Sequence, residues 1–255
     1  MIKSASIIGS GNVATHLAKA LFNVGVEIKS IYSPTIINCK ALADKVLAKP
    51  VEKITDIDSS ADIIIISVKD DAIRKVIEEL NNDKTILVHT SGGVNIEVFE
   101  GYSSRCGVLY PLQTFSKDRE IDFSRIPLFV ESHNTDVYAK IEDLAKRLSN
   151  YVVEADSEKR KTLHVAAVFA CNFVNHCYDI SEQILKENGL SFSALLPLIE
   201  ETTNKIYEIS PFEAQTGPAR RNDITVMNNH LKKINNQTFK DIYTLLSKSI
   251  TERYK

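Results

Sequence analysis

A polar stripe in the second half of the chain carries side chains suited to acid–base chemistry. His164, Asn172 and Asn175 recur at helical spacing within residues 158–188, which are predicted to form one long helix. An imidazole can take up or release a proton near neutral pH, and an amide can hold a carbonyl or hydroxyl oxygen. The stripe is interpreted either as part of a substrate site, with His164 and Asn172 catalytic, or as a hydrogen-bonded contact between helices.

Two glycine-containing turns offer further polar groups. His89, Ser91 and Gly92 lie in the run His-Thr-Ser-Gly-Gly after a predicted strand, where they could polarise or hold a substrate. In residues 215–223, Arg221 could bind a carboxylate or phosphate through two hydrogen bonds. An ordinary turn and a solvated basic loop explain the same residues, so both interpretations stay open.

A glycine turn near the start of the chain predicts a nucleotide site. It has the pattern GxGxxA over residues 9–14, between a strand pattern and a helix pattern. The first glycine allows the tight bend, the second lets the backbone approach a pyrophosphate, and the free N–H groups of the helix face that phosphate. The same turn can join any strand to any helix. The predicted dinucleotide contacts are Gly9, Ser10, Gly11, Asn12 and Val13.

The end of the second predicted strand, residues 26–32, indicates which dinucleotide is bound. NAD sites place an Asp or Glu there to hold the ribose 2′-hydroxyl, whereas a small hydroxyl residue with a nearby cation suits a 2′-phosphate. Ser33 and Thr35 follow this strand, and Lys40 is the candidate cation. These residues favour NADP over NAD, although a polar turn before a helix would have the same composition.

Composition favours a protein that acts on small molecules in the cytoplasm. The chain has 255 residues and a formal net charge of -2, and the absence of a run of like charges argues against a nucleic-acid or membrane surface. Its four cysteines form no CxxC pair, so we expect a reducing compartment and no metal site. We find no pattern of a signal peptide or a membrane span.

Strand and helix patterns alternate up to about residue 155, and only helix patterns follow. The apolar run at residues 63–66 is typical of a strand buried on both faces, as in parallel sheets. The alternation predicts an α/β fold of the Rossmann type, with a doubly wound, mostly parallel sheet followed by an all-α C-terminal domain. We predict a Rossmann NAD(P)-binding domain at residues 1–156 and a helical substrate and dimerisation domain at residues 157–255. Closely spaced apolar residues of the helical half predict a homodimer.

These motifs together resemble those of a bacterial family with an N-terminal Rossmann domain and a C-terminal helical domain of largely unassigned function. The Rossmann half is also similar to pyrroline-5-carboxylate reductase and to deazaflavin-dependent NADP oxidoreductases, in the clan of the 6-phosphogluconate dehydrogenases. The resemblance spans nearly the whole chain and rests on residues 9–13, 62–70, 89–92, 110–115, 164–172 and 216–223.

The resemblance implies an NADP-dependent oxidoreductase that acts on a small molecule in a cleft between its domains. The clan usually has a catalytic Lys and an Asn on the first long helix of the second domain, where this chain offers His164 and Asn172. Tyr110 stands where related dehydrogenases carry the His of a His-Pro motif. The alternative is a dinucleotide-binding sensor or scaffold without catalytic activity. The further implied contacts are Ser67 and Val68 for the cofactor and Gln113 and Thr216 for the substrate.

Overall fold

A computed structural model of the chain describes residues 1–80 and 82–255. It divides the chain into two compact units, residues 1–171 and residues 172–255. The division of roles expected after residue 156 stays a prediction. Within the described residues, no helix is both long enough and apolar enough to span a bilayer.

The first unit is built on a sheet of eight strands. Short 3-10 turns precede several of its elements and occupy some of its loops. The strands are β1 (Ser4–Ile8), β2 (Glu27–Tyr32), β3 (Lys49–Val51), β4 (Ile63–Ile66), β5 (Ile86–His89), β6 (Cys106–Pro111), β7 (Leu128–Glu131) and β8 (Val152–Glu154). The helices are α1 (Asn12–Asn23), α2 (Ile36–Lys45), α3 (Ile73–Leu80), α4 (Thr135–Leu148) and α5 (Ser157–Ala167).

The sheet confirms the predicted Rossmann-type fold. Its strand order is β3-β2-β1-β4-β5-β6-β7-β8, and each neighbouring pair is parallel except β6 and β7, which are antiparallel. The chain therefore reverses its winding at β1, between β2 and β4. In open α/β sheets this reversal marks the crevice where ligands bind.

The apolar side chains of β4 alternate between the hydrophobic cores on the two faces of the sheet. Ile63 and Ile65 belong to one buried cluster, and Ile64 and Ile66 belong to the other. Helices α1, α2 and α4 contribute to the first cluster and α3 to the second. The uninterrupted isoleucine run of β4 is explained by this burial on both faces, since solvent reaches neither.

The register brings the carboxyl ends of the central strands to one level. Ile8 of β1 pairs with Ile66 of β4, which pairs with His89 of β5. The next residues along each strand then begin the loops that form the site. The N–H group of Ser67 donates to the carbonyl of Ile8 at 2.7 Å, and that of Gly9 donates to the carbonyl of Tyr32 at 2.8 Å.

The secondary structure differs from the sequence-based prediction in two details. The three-residue strand β3 was not predicted, because Pro50 interrupts the apolar alternation that identifies a strand. The uninterrupted helix predicted for residues 158–188 contains a π-helical segment, Val168–Phe173, directly after α5. A change of bonding pattern over one turn leaves the apolar spacing of the flanking helices intact, so periodicity does not reveal it.

The second unit is all helical, as predicted. Ser210 and Glu213 form a capping box that starts a short helix inside the predicted loop 210–222. Three residues of this unit, Ala219, Met227 and Ile234, are buried. Its helices are α6 (Val174–Glu187), α7 (Leu196–Glu208), α8 (Pro211–Ala214), α9 (Ile224–Lys233) and α10 (Gln237–Arg253).

Candidate functional site

A cavity of about 800 Å³ opens at the carboxyl edge of the sheet in the first unit. It extends from the end of β2 across β1, β4 and β5 to the end of β6. Of the residues predicted to bind a ligand, those that line it are Gly9, Ser10, Gly11, Asn12, Val13, Ser33, Ser67, Val68, Ser91, Gly92, Gln113 and His164. The structure therefore gathers the glycine turn, the ends of four further strands and one helical histidine around one space.

The glycine turn has the geometry expected of a phosphate cradle. Gly9 has a φ of +123°, and a Cβ there would lie 2.0 Å from the carbonyl oxygen of Ser67, so no other residue fits. At Gly11, in contrast, a Cβ would meet nothing within 4 Å. Gly11 is the N-cap residue of helix α1, so no side chain caps this helix, and its first turn contains no acidic residue. Its N–H groups and positive end are thus available to an anion.

The end of β2 is tied to the glycine turn by a pair of hydroxyl groups. Ser10 Oγ donates to Ser33 Oγ at 2.7 Å, and both residues are buried. Because Ser33 Oγ accepts this bond, its own proton remains available for a ligand oxygen. The residues that line this end of the cavity are Tyr32, Ser33, Pro34 and Asn38, and none of these four carries a carboxylate.

Two residues predicted for the same part of the site lie outside the cavity lining. Thr35 is the N-cap residue of α2, although its side chain makes no capping hydrogen bond. Lys40 lies within α2 and is exposed. Asn38, which sequence reasoning did not select, lines the cavity between them.

The loop after β5 is shaped by its own serine. Ser91 Oγ accepts the N–H groups of Gly93 and Val94, each at 3.0 Å. Thr90, the residue before it, donates its hydroxyl to Ser67 Oγ at 3.1 Å and so joins the ends of β4 and β5. The loop thereby presents Ser91 and Gly92 to the cavity.

His89 supports the loop after β5 from the buried side of the sheet and does not line the cavity. It is 0 % exposed, its ring stacks on Phe99 at 5.7 Å, and its Nδ1 accepts the N–H group of Ser91 at 3.2 Å. Burial, followed by the charge of Arg160, lowers the pKa of His89 to about 3, against a smaller opposing effect of the Asn95 backbone. His89 is therefore neutral at physiological pH. This setting argues for a structural role rather than the substrate contact that was expected.

Tyr110 and His164 meet in the cavity wall at the end of β6, which is three strands from β1 in the sheet. The Tyr110 hydroxyl lies 3.0 Å from His164 Nδ1, and the two rings meet edge to face at 6.1 Å. Tyr110 is 8 % exposed, whereas His164 is exposed. Burial raises the pKa of Tyr110, with the Arg160 charge lowering it and the Asp70 charge raising it further. The phenol is consequently protonated at neutral pH.

Arg160, one turn before His164 on α5, fixes the helix to the loop after β5. Its side chain is completely buried and pairs with Glu131 of β7. It also donates to the carbonyl of Ser91 at 3.0 Å and to that of Val94. Sequence reasoning missed Arg160, because a single arginine in a charged helical stretch looks like a solvated residue.

The remaining predicted residues belong to the second unit. Asn172 lies in the π-helical segment, while Thr216 and Arg221 lie in the loop between α8 and α9. In that loop Asp223 caps α9 by accepting the N–H group of Val226 at 3.1 Å. The neighbouring Arg220 lies over the ring of Tyr254 at 5.2 Å. Within the described part of the chain, no group of three or more His, Cys, Asp or Glu side chains could hold a metal ion.

Both halves of the chain match family models. Residues 4–93 match a family described as NADP oxidoreductase coenzyme F420-dependent. Residues 126–250 match a domain of unknown function, DUF2520. No curated protein matches the chain.

Several solved structures share the fold. A protein of Bacteroides fragilis described as a "putative NADP oxidoreductase" is 42% identical, with a TM-score of 0.94 over 98% of both chains. An imine reductase of Myxococcus stipitatus, in complex with NADP+, is 13% identical, with a TM-score of 0.70 over 98% of this chain and 92% of that one. A Plasmodium falciparum pyrroline carboxylate reductase with NADP bound is 16% identical, with a TM-score of 0.62 over 100% and 97%. The last two are alike in fold alone.

Proposed function

The chain belongs to the same family as the Bacteroides fragilis protein, and we propose that it is an NADP-dependent oxidoreductase that acts on a small molecule. The observation that carries this proposal is the single cavity that joins the glycine turn to the Tyr110–His164 pair. One end of this cavity suits a pyrophosphate, and the other offers groups that exchange protons. A dinucleotide-dependent reduction needs both within one site.

The residues present fit NADP. The open space at Gly11 and the uncapped start of α1 suit the pyrophosphate. Ser33 Oγ, with a proton to donate, and a β2 end without a carboxylate suit a 2′-phosphate better than a 2′-hydroxyl. We retain Thr35 and Lys40 as proposed contacts of that phosphate, Lys40 acting from the exposed side of α2.

NADPH, when bound, supplies a hydride to an unsaturated carbon of the substrate. We propose His164, which lines the cavity and carries an exchangeable proton, as the source from which the accompanying proton is supplied. Ser91, Gly92 and Gln113 are proposed to contact the substrate. The roles predicted for Asn172 in orienting it, and for Thr216 and Arg221 in binding it, remain part of the proposal.

Calorimetric titration with NADPH, NADH and S-adenosylmethionine tests the cofactor assignment. We expect NADPH to bind most tightly and S-adenosylmethionine, the cofactor of a methyltransferase with a similar glycine turn, not to bind. NADPH oxidation with a panel of small ketones, aldehydes and cyclic imines then tests catalysis. Tight NADPH binding without turnover on any of them would favour the dinucleotide-binding sensor, and failure of NADPH to bind would overturn the proposal.

A further inference from the structure

We propose that Tyr110 and His164 form one proton-transfer unit in which the Tyr110 hydroxyl protonates the substrate and His164 restores the proton to Tyr110. This inference deepens the proposed function and rests on it. The structural basis is the 3.0 Å separation between Tyr110 Oη and His164 Nδ1 within the wall of the cavity.

The sheet register places Tyr110 at the reactive edge. Val108 of β6 pairs with His89 of β5, so Tyr110 stands two residues beyond this pair, level with Ser91. Since β5 and β6 are parallel, this is the edge at which the carboxyl ends of the strands meet. The hydroxyl is therefore held by a strand, with its ring packed at 6.2 Å from that of Phe129. A rigid strand positions a catalytic group more accurately than a loop does.

The hydrogen bond between Tyr110 Oη and His164 Nδ1 determines the path of the proton. His164 Nδ1 is directed at Tyr110 Oη, so a proton on Nδ1 reaches the cavity through the phenol. As hydride is added to the substrate carbon, the bond between Tyr110 Oη and its proton breaks and that proton joins the substrate heteroatom. The Nδ1 proton of the imidazolium then moves to Tyr110 Oη. Tyr110 ends neutral and His164 ends as the neutral imidazole, which is recharged by solvent because His164 is exposed.

Gly92 allows this pair to form beneath the loop after β5. A Cβ at this position would lie 2.7 Å from Tyr110 Cζ and 2.9 Å from both His164 Nδ1 and Tyr110 Oη. Contacts under 3.0 Å require one of these groups to move. The requirement for glycine at position 92 comes from the two rings. At Gly93, in contrast, a Cβ would meet the Asp70 carboxylate at 3.1 Å and Ser91 Oγ at 4.0 Å, and neither ring.

Several charged groups surround the pair and set its response to pH. The Arg160 guanidinium and the Asp70 carboxylate both act on Tyr110, with opposite signs. Lys69 and Lys117 also line the cavity. On α5, Lys161 pairs with Glu158 at 2.8 Å. His164, whose Nδ1 lies 3.0 Å from Tyr110 Oη, is the titratable side chain in direct contact with that hydroxyl.

Solution NMR of protein labelled with ¹³C at the tyrosine ζ position tests the pair without substrate or cofactor. The chain has nine tyrosines, and Tyr110→Phe identifies the Tyr110 signal. We expect this signal to shift with pH in the wild type and to lose this shift in His164→Asn. A Tyr110 signal that does not respond to pH, or that shifts equally in His164→Asn, would overturn the proposal.

The chain contains a matched pair for comparison. Tyr243 Oη lies 2.8 Å from His230 Nδ1 in the second unit, outside the cavity. The Tyr243 signal should also change with pH, and this change should persist in the His164→Asn variant. The amide of the introduced Asn occupies the position of His164 Nδ1 but does not titrate. Gly92→Ala should weaken the Tyr110 response, while Gly93→Ala should preserve it.

Addition of NADP+ separates this inference from the proposed function. If NADP+ binds by calorimetry, we expect the Tyr110 signal to shift while that of Tyr243 stays in place. Binding that leaves the Tyr110 signal unmoved would overturn its placement at the reacting end. Absence of binding would overturn the proposed function, and the titration in the free protein would still decide whether Tyr110 and His164 are coupled.

Discussion

Arg160 and Glu131 form an ion pair whose side chains are 0% and 9% exposed. The same guanidinium donates to the carbonyls of Ser91 and Val94, and Ser157 donates its hydroxyl to Glu131 at 2.9 Å. Every polar group of this cluster is thus paired away from water. The pair joins β7, α5 and the loop that presents Gly92 to the cavity.

Loss of one member of this pair should destabilise the first unit strongly. Arg160→Met leaves the Glu131 carboxylate buried without its counter-charge and removes a donor from two carbonyls. Removal of one partner of a buried pair typically costs about 3–5 kcal/mol. Urea unfolding followed by circular dichroism measures this loss. Lys140→Met, which breaks an exposed pair with Asp136, is the control and should lower the free energy of unfolding far less. Similar losses in the two variants would contradict the assignment.

The buried His89 should make the first unit sensitive to acid. Its pKa is lowered to about 3 in the folded protein, whereas an unfolded histidine titrates near about 6.5. The unfolded chain therefore binds this proton first, and the folded state loses stability as the pH falls below about 6.5. This linkage lowers the free energy of unfolding by about 2 kcal/mol between pH 7 and pH 5.

A variant isolates this contribution from that of the carboxylates. His89→Asn keeps an acceptor near the Ser91 N–H group but cannot take up a proton. Urea titrations at pH 7 and pH 5 should show a smaller loss of stability in this variant than in the wild type. An equal loss in both would mean that His89 is protonated in the folded protein at pH 5.

The sequence was sufficient to predict the sheet, the glycine turn and the end of β5, because each depends on local patterns. The GxGxxA spacing fixes Gly9 and Gly11, and the isoleucine run identifies β4. The Tyr110–His164 pair and the Arg160–Glu131 pair could not be predicted, since each joins residues far apart in the chain through tertiary packing. Tyr110 did offer one signal, since the family resemblance places it where related dehydrogenases carry the His of a His-Pro motif.

Substitutions of the two glycines in the first turn should have different effects. Gly9→Ala puts a side chain at a φ of +123° and against the carbonyl of Ser67, so it should destabilise the protein by more than about 2 kcal/mol. The Cβ of a valine at position 11 would meet nothing within 4 Å, so Gly11→Val should cost less than about 1 kcal/mol. It should nevertheless abolish NADPH binding in calorimetry, because the side chain fills the pyrophosphate space. Undiminished binding by folded Gly11→Val would contradict the cofactor site.

Ser33 and Lys40 should determine the preference for NADP. Ser33→Ala removes a donor that can reach a 2′-phosphate, and Lys40→Ala removes the candidate cation. Each should weaken NADPH binding by about 1–3 kcal/mol, as expected for one charge-assisted hydrogen bond. The affinity for NADH, measured with the same variants, is the control and should hardly change. Equal effects on both dinucleotides would show that neither residue reads the 2′-phosphate.

The apolar surface of the second unit should be covered by a second copy of the chain. Of its residues, only Ala219, Met227 and Ile234 are buried, whereas Leu198 is 63% and Leu245 is 69% exposed. Apolar side chains left in water on this scale are typical of subunit interfaces. We therefore expect sedimentation at micromolar concentration to give a dimer of the 28.5 kDa chain.

The double variant Leu198→Glu, Leu245→Glu should shift the protein to the monomer, because its charges resist burial. Ile37→Glu, at a 76% exposed position of the first unit, is the matched control and should leave the mass unchanged. A monomeric wild type would contradict this prediction.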